Sequence, residues 1–570
     1  MTDEHVNLPG RDAPARLSDY DAERAQFRVE VPELFNPVID ILERWAADDP
    51  DALALVTLGP DGGLVASHSV GALVDEAQRM ARGWQVAGLK KGERVFVMLP
   101  RSVEWYVVML GAMRIGAVPL PAPNMLTTKD IGQRLARADV AAAVVDAAGA
   151  AKMSPLSDEL PELRVVANAT PAAGWRALED IAAGGGGTSL DASPTTRDDP
   201  LLIYFTSGTV GLPKMVEHDQ SYALGHIGTA RFWHDLRQGD RHWTVSDTGW
   251  AKAAWGGMFG QWHERATVVQ AALDRPDAHA ILEIIERHKI TSFCAPPTLY
   301  RQLVLADFSQ FDLSSLRHCT SAGEPLNPEI IRAWEKGTGL AIYDGYGQTE
   351  STVMVANYRA IPIKPGSMGK PVPGYEITIR NDDGEALPDG AVGNIAIRRE
   401  PRPVGLFQGY WRDEKSSAER LRGDWYYSGD LGRRDADGYF WFEGRDDDII
   451  TSSAYRIGPF EVESVLIEHP AVAEAGVVRK PDPERTEIVC AFLVLAPGHV
   501  PSAALSVELQ RHAKRETAPY KYPREIIYVR ELHRRRFQKN SQYELSSIVD
   551  FFPYYVLKPG DEDCSSPEFR

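Results

Sequence analysis

The run LLIYF at residues 201–205, continued at once by TSGTVGLPK at 206–214, decides how this chain is read. Five apolar residues in succession predict a strand buried on both faces. The nine residues that follow supply three hydroxyls, two glycines and a lysine. Gly208 and Gly211 let the backbone approach a ligand closely and turn N–H groups toward it. Thr206, Ser207 and Thr209 can donate to phosphate oxygens, and Lys214 adds a point charge. The loop is not the GxxxxGK[ST] phosphate loop, because Pro213 precedes the lysine and Met215 follows it. Pro213 also argues against a helix starting inside the loop, so no helix-dipole cradle is expected there.

Working outward, the upstream chain alternates between strand-like and helical segments. Short apolar runs at Arg94–Leu99 and Ala141–Val145, with a helix predicted over Val74–Ala87, give the βαβ rhythm of an α/β domain. A further helix is predicted over Pro37–Ala47, with Asn36 as its N-cap. Residues 1–34 read as a polar lead-in, and Gly184–Gly187 opens a flexible connector. Downstream, α/β character continues to about Ile363. A Gly- and Pro-rich β region follows from Gly369. Beyond Arg445 a compact region carries a predicted strand at Ile488–Leu495 and a helix at Ala504–Glu516.

A chain of 570 residues allows about three to five compact units. The 62 Lys and Arg against 80 Asp and Glu leave a net charge of −18. That balance excludes a general nucleic-acid binder, which needs a basic field, but not anions held in a local basic pocket. Cys294, Cys319, Cys490 and Cys564 form no CxxC pair, which fits a reducing compartment rather than a zinc or disulfide framework. The acidic N-terminus MTDEHVNLPGRD is unlike a targeting peptide. The apolar run Trp105–Met113 stops at Arg114, short of the ~20 residues a membrane span requires. A cytoplasmic protein without a membrane span is expected.

Two further segments carry chemistry. DGYGQTE, residues 344–350, offers an aromatic face, two glycines, a hydroxyl and a carboxylate, a set suited to a base, an α-phosphate and Mg²⁺. YSGD, ending at Asp430, and GRDDD, from Gly444 to Asp448, supply an aspartate able to bind both ribose hydroxyls and an arginine, Arg445, able to reach ribose or phosphate.

Together these segments resemble the adenylate-forming superfamily of acyl-CoA synthetases, luciferases and peptide-synthetase adenylation domains, over roughly residues 30–545. SDTGW (246–250), GYGQTE, IKPGSMGKP, RPVGLFQGY, LRGDWYYSGD, DGYFWFEGRDDDII, SSAYRIGPFEVE and TAPYKYPR are similar to the medium-chain acyl-CoA synthetase branch. The resemblance implies an α/β fold: a large N-terminal domain of two α/β subdomains plus a β-barrel over 35–446, then a small mobile α+β domain over 447–545. Asp447 would be the hinge, and 546–570 match nothing in the family.

The implied reaction joins a carboxylate to the α-phosphorus of ATP, releasing pyrophosphate, and then transfers the acyl group to coenzyme A, releasing AMP. By resemblance ATP would meet Thr206, Ser207, Gly208, Thr209, Gly211 and Lys214, and Thr349 would lie at the α-phosphate. Gly323, Glu324 and Pro325 with Asp344, Gly345 and Tyr346 would surround the base, and Gly347 and Gln348 would also bind ATP. Asp430 and Arg445 would hold the ribose, and Arg456 would also serve ATP. Mg²⁺ would rest on Glu350 and Thr209, and Trp250 would border the acyl pocket. Coenzyme A would contact Ser453, Ala454, Tyr455, Arg485 and Tyr522.

Three positions depart from the pattern. Lys539 aligns with the adenylation lysine, but Gln538 replaces the loop glycine and Asn540-Ser541-Gln542 follows it. Ala454 stands where a glycine lines the pantetheine tunnel, and Val210 where a further hydroxyl is common. These keep two alternatives open: an acyl-AMP ligase serving a carrier protein's pantetheine, and a catalytically weak nucleotide-binding homologue.

Overall fold

The strand read at 201–205 forms as Pro200–Phe205 and returns antiparallel as Met215–Asp219, with Phe205 opposite Met215. The segment 206–214 therefore connects the arms of a hairpin, and Pro213 and Lys214 lie in no helix. The computed structural model describes residues 8–530, 532 and 555–557, apart from 157–159, 187–188, 191–193, 207–212, 274–276, 325, 446–449, 453–454, 483–485 and 518–520. Described residues divide into two compact units: Met1–Ser207, Pro213–Glu376 and Arg398–Tyr426 hold the first, and Ile377–Ile397 with Tyr427–Arg570 the second.

In the first unit, a five-stranded parallel sheet runs in the order Val118–Pro121, Arg94–Met98, Val140–Val145, Leu163–Val166, Arg176–Ala177. A nine-stranded sheet has the parallel strands Leu53–Leu58, Thr267–Ala271, Arg241–Thr244, Ser292–Ala295, His318–Ala322 and Ile342–Gly347 at its centre. The helices Val70–Val86 and Val103–Arg114 share one core with the inner residues of both sheets, including the fully buried Trp84, Trp105 and Trp262. This is the α/β architecture expected from the apolar runs.

Local chemistry sets the boundaries. The helix expected from Val74 starts a turn earlier, at Val70, because the Ser69 hydroxyl accepts the Ala72 N–H at 3.2 Å. The predicted 37–47 helix opens as a wide π-type turn over Val38–Glu43 before continuing as Arg44–Asp48. Asn36 Oδ1 accepts from Val38 N at 3.1 Å, as an N-cap should. The segment read as a lead-in is anchored to this unit. Tyr20–Gln26 is helical, Tyr20 Oη donates to the Pro371 carbonyl at 2.8 Å, and Arg16 pairs with Glu264 at 2.6 Å.

Ile377–Arg380, Gly393–Arg398, Trp425–Arg434 and Phe440–Arg445 belong to one antiparallel sheet, all of it in the second unit except Arg398, Trp425 and Tyr426, which belong to the first. A second sheet centres on Thr486–Leu495, flanked by Val472–Asp482 and Glu525–Tyr528. Its core packs against the helices Pro459–Ile467 and Ala503–Glu516. Tyr555–Leu557, within the stretch that matched no family pattern, adds an antiparallel strand beside Glu525–Tyr528. Among the described residues no helix is long and apolar enough to cross a membrane.

The nine-stranded sheet carries a buried polar seam. Arg317, its side chain fully covered, pairs with Asp235 at 2.7 Å and reaches Asp240 Oδ1 at 3.0 Å. Beside it His234, His242 and His318 are sealed from solvent, with the His234 and His242 rings 4.4 Å apart. Burial pushes His242 down to about 3 and His318 to about 4, and holds His234 well below its usual value. His218 and His226 are lowered by burial to about 4 and about 3. Each imidazole is neutral in the fold yet takes up a proton near pH 6.5 once unfolded. Its contribution to stability is thus complete above pH 6.5 and is lost as the pH falls toward the folded value. Unfolding free energy measured by denaturant titration is expected to drop by more than about 1.4 kcal/mol between pH 6 and pH 5, the slope of one proton. A slope below one proton would show that these imidazoles do not govern acid stability.

Candidate functional site

The hairpin places the two ends of the 206–214 loop side by side, with Thr206 N donating to the Lys214 carbonyl at 2.9 Å. Lys214 projects its ammonium over the Tyr410 ring, 4.8 Å from the centroid. Tyr410 arrives there because Gly409–Tyr410 pairs antiparallel with Met215–Asp219, Tyr410 opposite Val216. Ser207, Gly208, Thr209 and Gly211 lie outside the described residues.

The strand Ile342–Gly347 delivers the second motif. Asp344 lies opposite Ser321 and Gly345 opposite Ala322 in the parallel register. Two of its glycines are required by packing. A Cβ on Gly345 would lie 2.6 Å from the Trp233 indole, and one on Gly347 would lie 2.4 Å from the Thr352 carbonyl oxygen and 2.7 Å from Trp255. Burial pushes the Asp344 carboxyl up, opposed by the Gly345 N–H and the Lys252 charge. Lys252 is itself lowered by burial and donates to the Ala322 carbonyl at 2.8 Å.

The strand then ends in a turn that leaves Tyr346, Gly347, Gln348, Thr349 and Glu350 half-buried. Each residue of the turn's last three is held. Tyr426 Oη donates to Gln348 Oε1 at 2.6 Å. The Thr349 carbonyl lies 2.7 Å from His218 Nε2, whose neutral ring stacks on Tyr222 at 3.7 Å. Glu350 accepts at its backbone oxygen from Phe407 N at 2.9 Å and at Oε1 from Tyr410 Oη at 2.7 Å.

Lys214 and Glu350, read from separate motifs, thus meet at one phenol. Glu350 is a hard oxygen donor, suited to Mg²⁺ that takes one or two carboxylates together with substrate phosphates. Thr209, the second ligand implied by the resemblance, falls among the undescribed residues.

At the positions that the resemblance assigns to the base, Gly323 has φ of +108°, and Glu324 lies 3.4 Å from Arg301; Pro325 is undescribed. Trp250 is half-buried and caps the helix Ala251–Gly257. Its neighbour Gly249 packs so closely on Pro123 that a Cβ would lie 2.0 Å from that residue's nitrogen.

In the second unit, Asp430 and Arg445 stand directly opposite each other on neighbouring strands, with Nε 3.9 Å from Oδ1. Asp430 is buried and its N–H donates to Ser428 Oγ at 3.1 Å. Tyr522 carries Lys514 over its ring at 3.8 Å and accepts from Arg524 Nη1 at 2.9 Å. For Tyr455 and Arg456 the described feature is a backbone strand, Tyr455–Ile457. Asp447, Ser453, Ala454, Arg485 and Lys539 lie outside the described residues.

The sequence reading missed His218, Lys252, Phe407, Tyr410 and Tyr426. Tyr410 sits in the RPVGLFQGY stretch that carried the resemblance, but its partner Glu350 is 60 residues away. No local pattern reports such a contact.

Known proteins match this arrangement along nearly the whole chain. The family model for AMP-binding enzyme covers residues 42–411, and that for the AMP-binding enzyme C-terminal domain covers 461–539. The mitochondrial acyl-coenzyme A synthetase ACSM3 of Mus musculus is 41% identical over 535 residues, 91% of each chain. The mitochondrial ACSM5 of Homo sapiens is 42% identical over 516 residues, 88% of each chain. Among solved structures, the anthranilate CoA ligase AuaEII in complex with anthranoyl-AMP superposes with a TM-score of 0.81 at 31% identity, covering 91% of this chain and 98% of that one. The acyl-CoA synthetase of Brucella canis gives 0.72 at 32% identity, covering 90% and 96%. The chain belongs to the AMP-binding enzyme family, among its acyl-coenzyme A synthetases.

Proposed function

We propose that this enzyme activates a medium-chain fatty or aromatic monocarboxylic acid with ATP and passes the acyl group to coenzyme A. The observation that carries the site assignment is the convergence of Lys214 and Glu350 on Tyr410, which sets a cation and a carboxylate beside the turn bearing Thr349. In the first half-reaction a carboxylate oxygen attacks the α-phosphorus and the bond to pyrophosphate breaks. In the second the sulfur of coenzyme A attacks the acyl carbonyl carbon and AMP leaves. Neither step needs a protein nucleophile; alignment and charge neutralisation lower the barriers.

Lys214 and the hydroxyls and N–H groups of the 206–211 loop would draw charge from the phosphates, and Thr349 would donate at the α-phosphate. Mg²⁺, when bound to Glu350 and Thr209, would supply further neutralisation of the triphosphate. Gly323–Pro325 and Asp344–Tyr346 would seat the adenine, Gly347 and Gln348 would also contact ATP, and Asp430, Arg445 and Arg456 would serve ribose and phosphate. Trp250 would line the acyl pocket. Ser453, Ala454, Tyr455, Arg485 and Tyr522 would serve coenzyme A. Lys539 would act in adenylation, and Asp447 would be the pivot between the half-reactions. The proposed compartment is the cytoplasm, supported by the buried free thiols of Cys294, Cys319 and Cys490; the relatives compared are named mitochondrial.

Hydroxylamine trapping over a panel of carboxylic acids, with and without coenzyme A, tests the reading; a panel with no ATP-dependent trapping would overturn it. Lys539→Ala is expected to slow adenylation about 10²–10³-fold while preformed acyl-adenylate is still consumed with coenzyme A. Equal loss in both half-reactions would remove Lys539 from its role. Gly347→Ala forces a methyl against the Thr352 carbonyl and should weaken ATP binding about tenfold or more in calorimetry, with the fold retained. The replacement of glycine by Ala454 favours a second reading, transfer to a carrier protein. In that case trapping persists, free coenzyme A yields no thioester, and a phosphopantetheinyl carrier protein is loaded.

A further inference from the structure

Tyr410 is absent from every role assigned above, yet it touches two of them. Its phenolic Oη donates to Glu350 Oε1 at 2.7 Å, and its ring lies under the Lys214 ammonium at 4.8 Å. The side chain is 6% exposed, so neither contact is a chance surface encounter. Its own position is over-determined. The backbone pairs with Val216, Tyr410 N donates to Ser417 Oγ at 2.9 Å, and Phe407 packs edge-on at 5.1 Å between centroids. Phe407 in turn donates its N–H to the Glu350 carbonyl and packs on Tyr426, whose phenol holds Gln348.

We infer that Tyr410 is a positioning residue for the adenylation half-reaction: its hydroxyl fixes the rotamer of Glu350 so that the other carboxylate oxygen is presented to Mg²⁺, and its ring holds Lys214 beside it. The inference rests on the ATP-dependent reading and on Glu350 as the metal ligand. A hydroxyl that orients a ligating carboxylate affects metal affinity more than nucleotide affinity, whereas the ring acts on the cation that meets the phosphates directly. The two functions of one side chain can therefore be separated.

The experiment is calorimetric titration of ATP, without acid or coenzyme A so that no turnover occurs, over a series of Mg²⁺ concentrations and in EDTA. Tyr410→Phe keeps the ring and removes the hydroxyl. The Mg²⁺ concentration giving half of the affinity gain should rise about tenfold, with ATP affinity in EDTA unchanged. Tyr410→Leu removes the ring as well and should weaken ATP binding in EDTA too. In the Glu350→Gln background, Tyr410→Phe should produce no further shift, because the group it orients is gone. A Tyr410→Phe protein with wild-type Mg²⁺ dependence, or one weakened equally with Mg²⁺ and in EDTA, overturns the inference. Wild-type protein whose ATP affinity ignores Mg²⁺ instead overturns the placement of Mg²⁺ on Glu350, and the inference with it. Thermal unfolding midpoints of all variants separate misfolding from either result.

Discussion

The backbone pairing of Gly409–Tyr410 with Val216–Glu217 is the contact on which the first unit's site depends. With the His218–Thr349 hydrogen bond, it joins the hairpin that carries Lys214 to the turn that carries Glu350. Two rungs of an antiparallel ladder are a small interaction, but they set the approach of three segments far apart in sequence. Trp411 N extends the ladder by donating to the Met215 carbonyl at 2.8 Å, and Phe407 N binds Glu350 from the other side. The short strand thus works as a bracket between a sheet edge and a turn. Close packing does the remainder: with 2.6 Å and 2.4 Å left for a Cβ at Gly345 and Gly347, the strand end has one position available.

An acidic protein that handles polyanions has an electrostatic problem, and its solution here is local. The net charge of −18 repels a triphosphate at long range, though screening confines that field to about 10 Å at ordinary ionic strength. Close in, a few placed cations decide the outcome. Lys214 is held on an aromatic face rather than on a carboxylate, which keeps its charge available to a phosphate. Lys252 and Asp344, both shifted by burial toward their neutral forms, show the opposite environment, where charge is disfavoured. On the proposed reading, a base-binding wall and a phosphate-binding rim would use this contrast.

Local chemistry made much of this legible before any coordinates. LLIYF had to be a buried strand and Asn36 had to cap; each is a statement about neighbours in sequence. The family motifs named Lys214, Thr349 and Glu350, and the structure brings their flanking segments together. What the sequence does not carry is contact between distant residues of ordinary type. A tyrosine in QGYW, a histidine in VEHD and a lysine in WAKAAW look like core or surface residues until the sheet order puts them beside the motifs. The 70–86 helix starts a turn ahead of its apolar period, at its serine cap. The extra strand at Tyr555–Leu557 could not be foreseen from a stretch without a matching pattern.

The chemistry of the bracket explains why phenols, rather than cations, hold the turn. Arg or Lys at position 410 would also bind Glu350, and more strongly, but it would neutralise the carboxylate before any metal arrived. A phenol contributes a hydrogen bond to the carboxylate of about 1.5–3 kcal/mol net and leaves the formal charge intact for a cation. The same holds at Gln348, where Tyr426 orients an amide without adding charge. His218 completes the set: burial keeps its ring neutral, so its hydrogen bond to the Thr349 carbonyl brings no competing positive centre. Three neutral partners, two hydroxyls and one imidazole, fix three successive residues. The charges in the site are thereby left for the ligands, with geometry supplied by groups that add none.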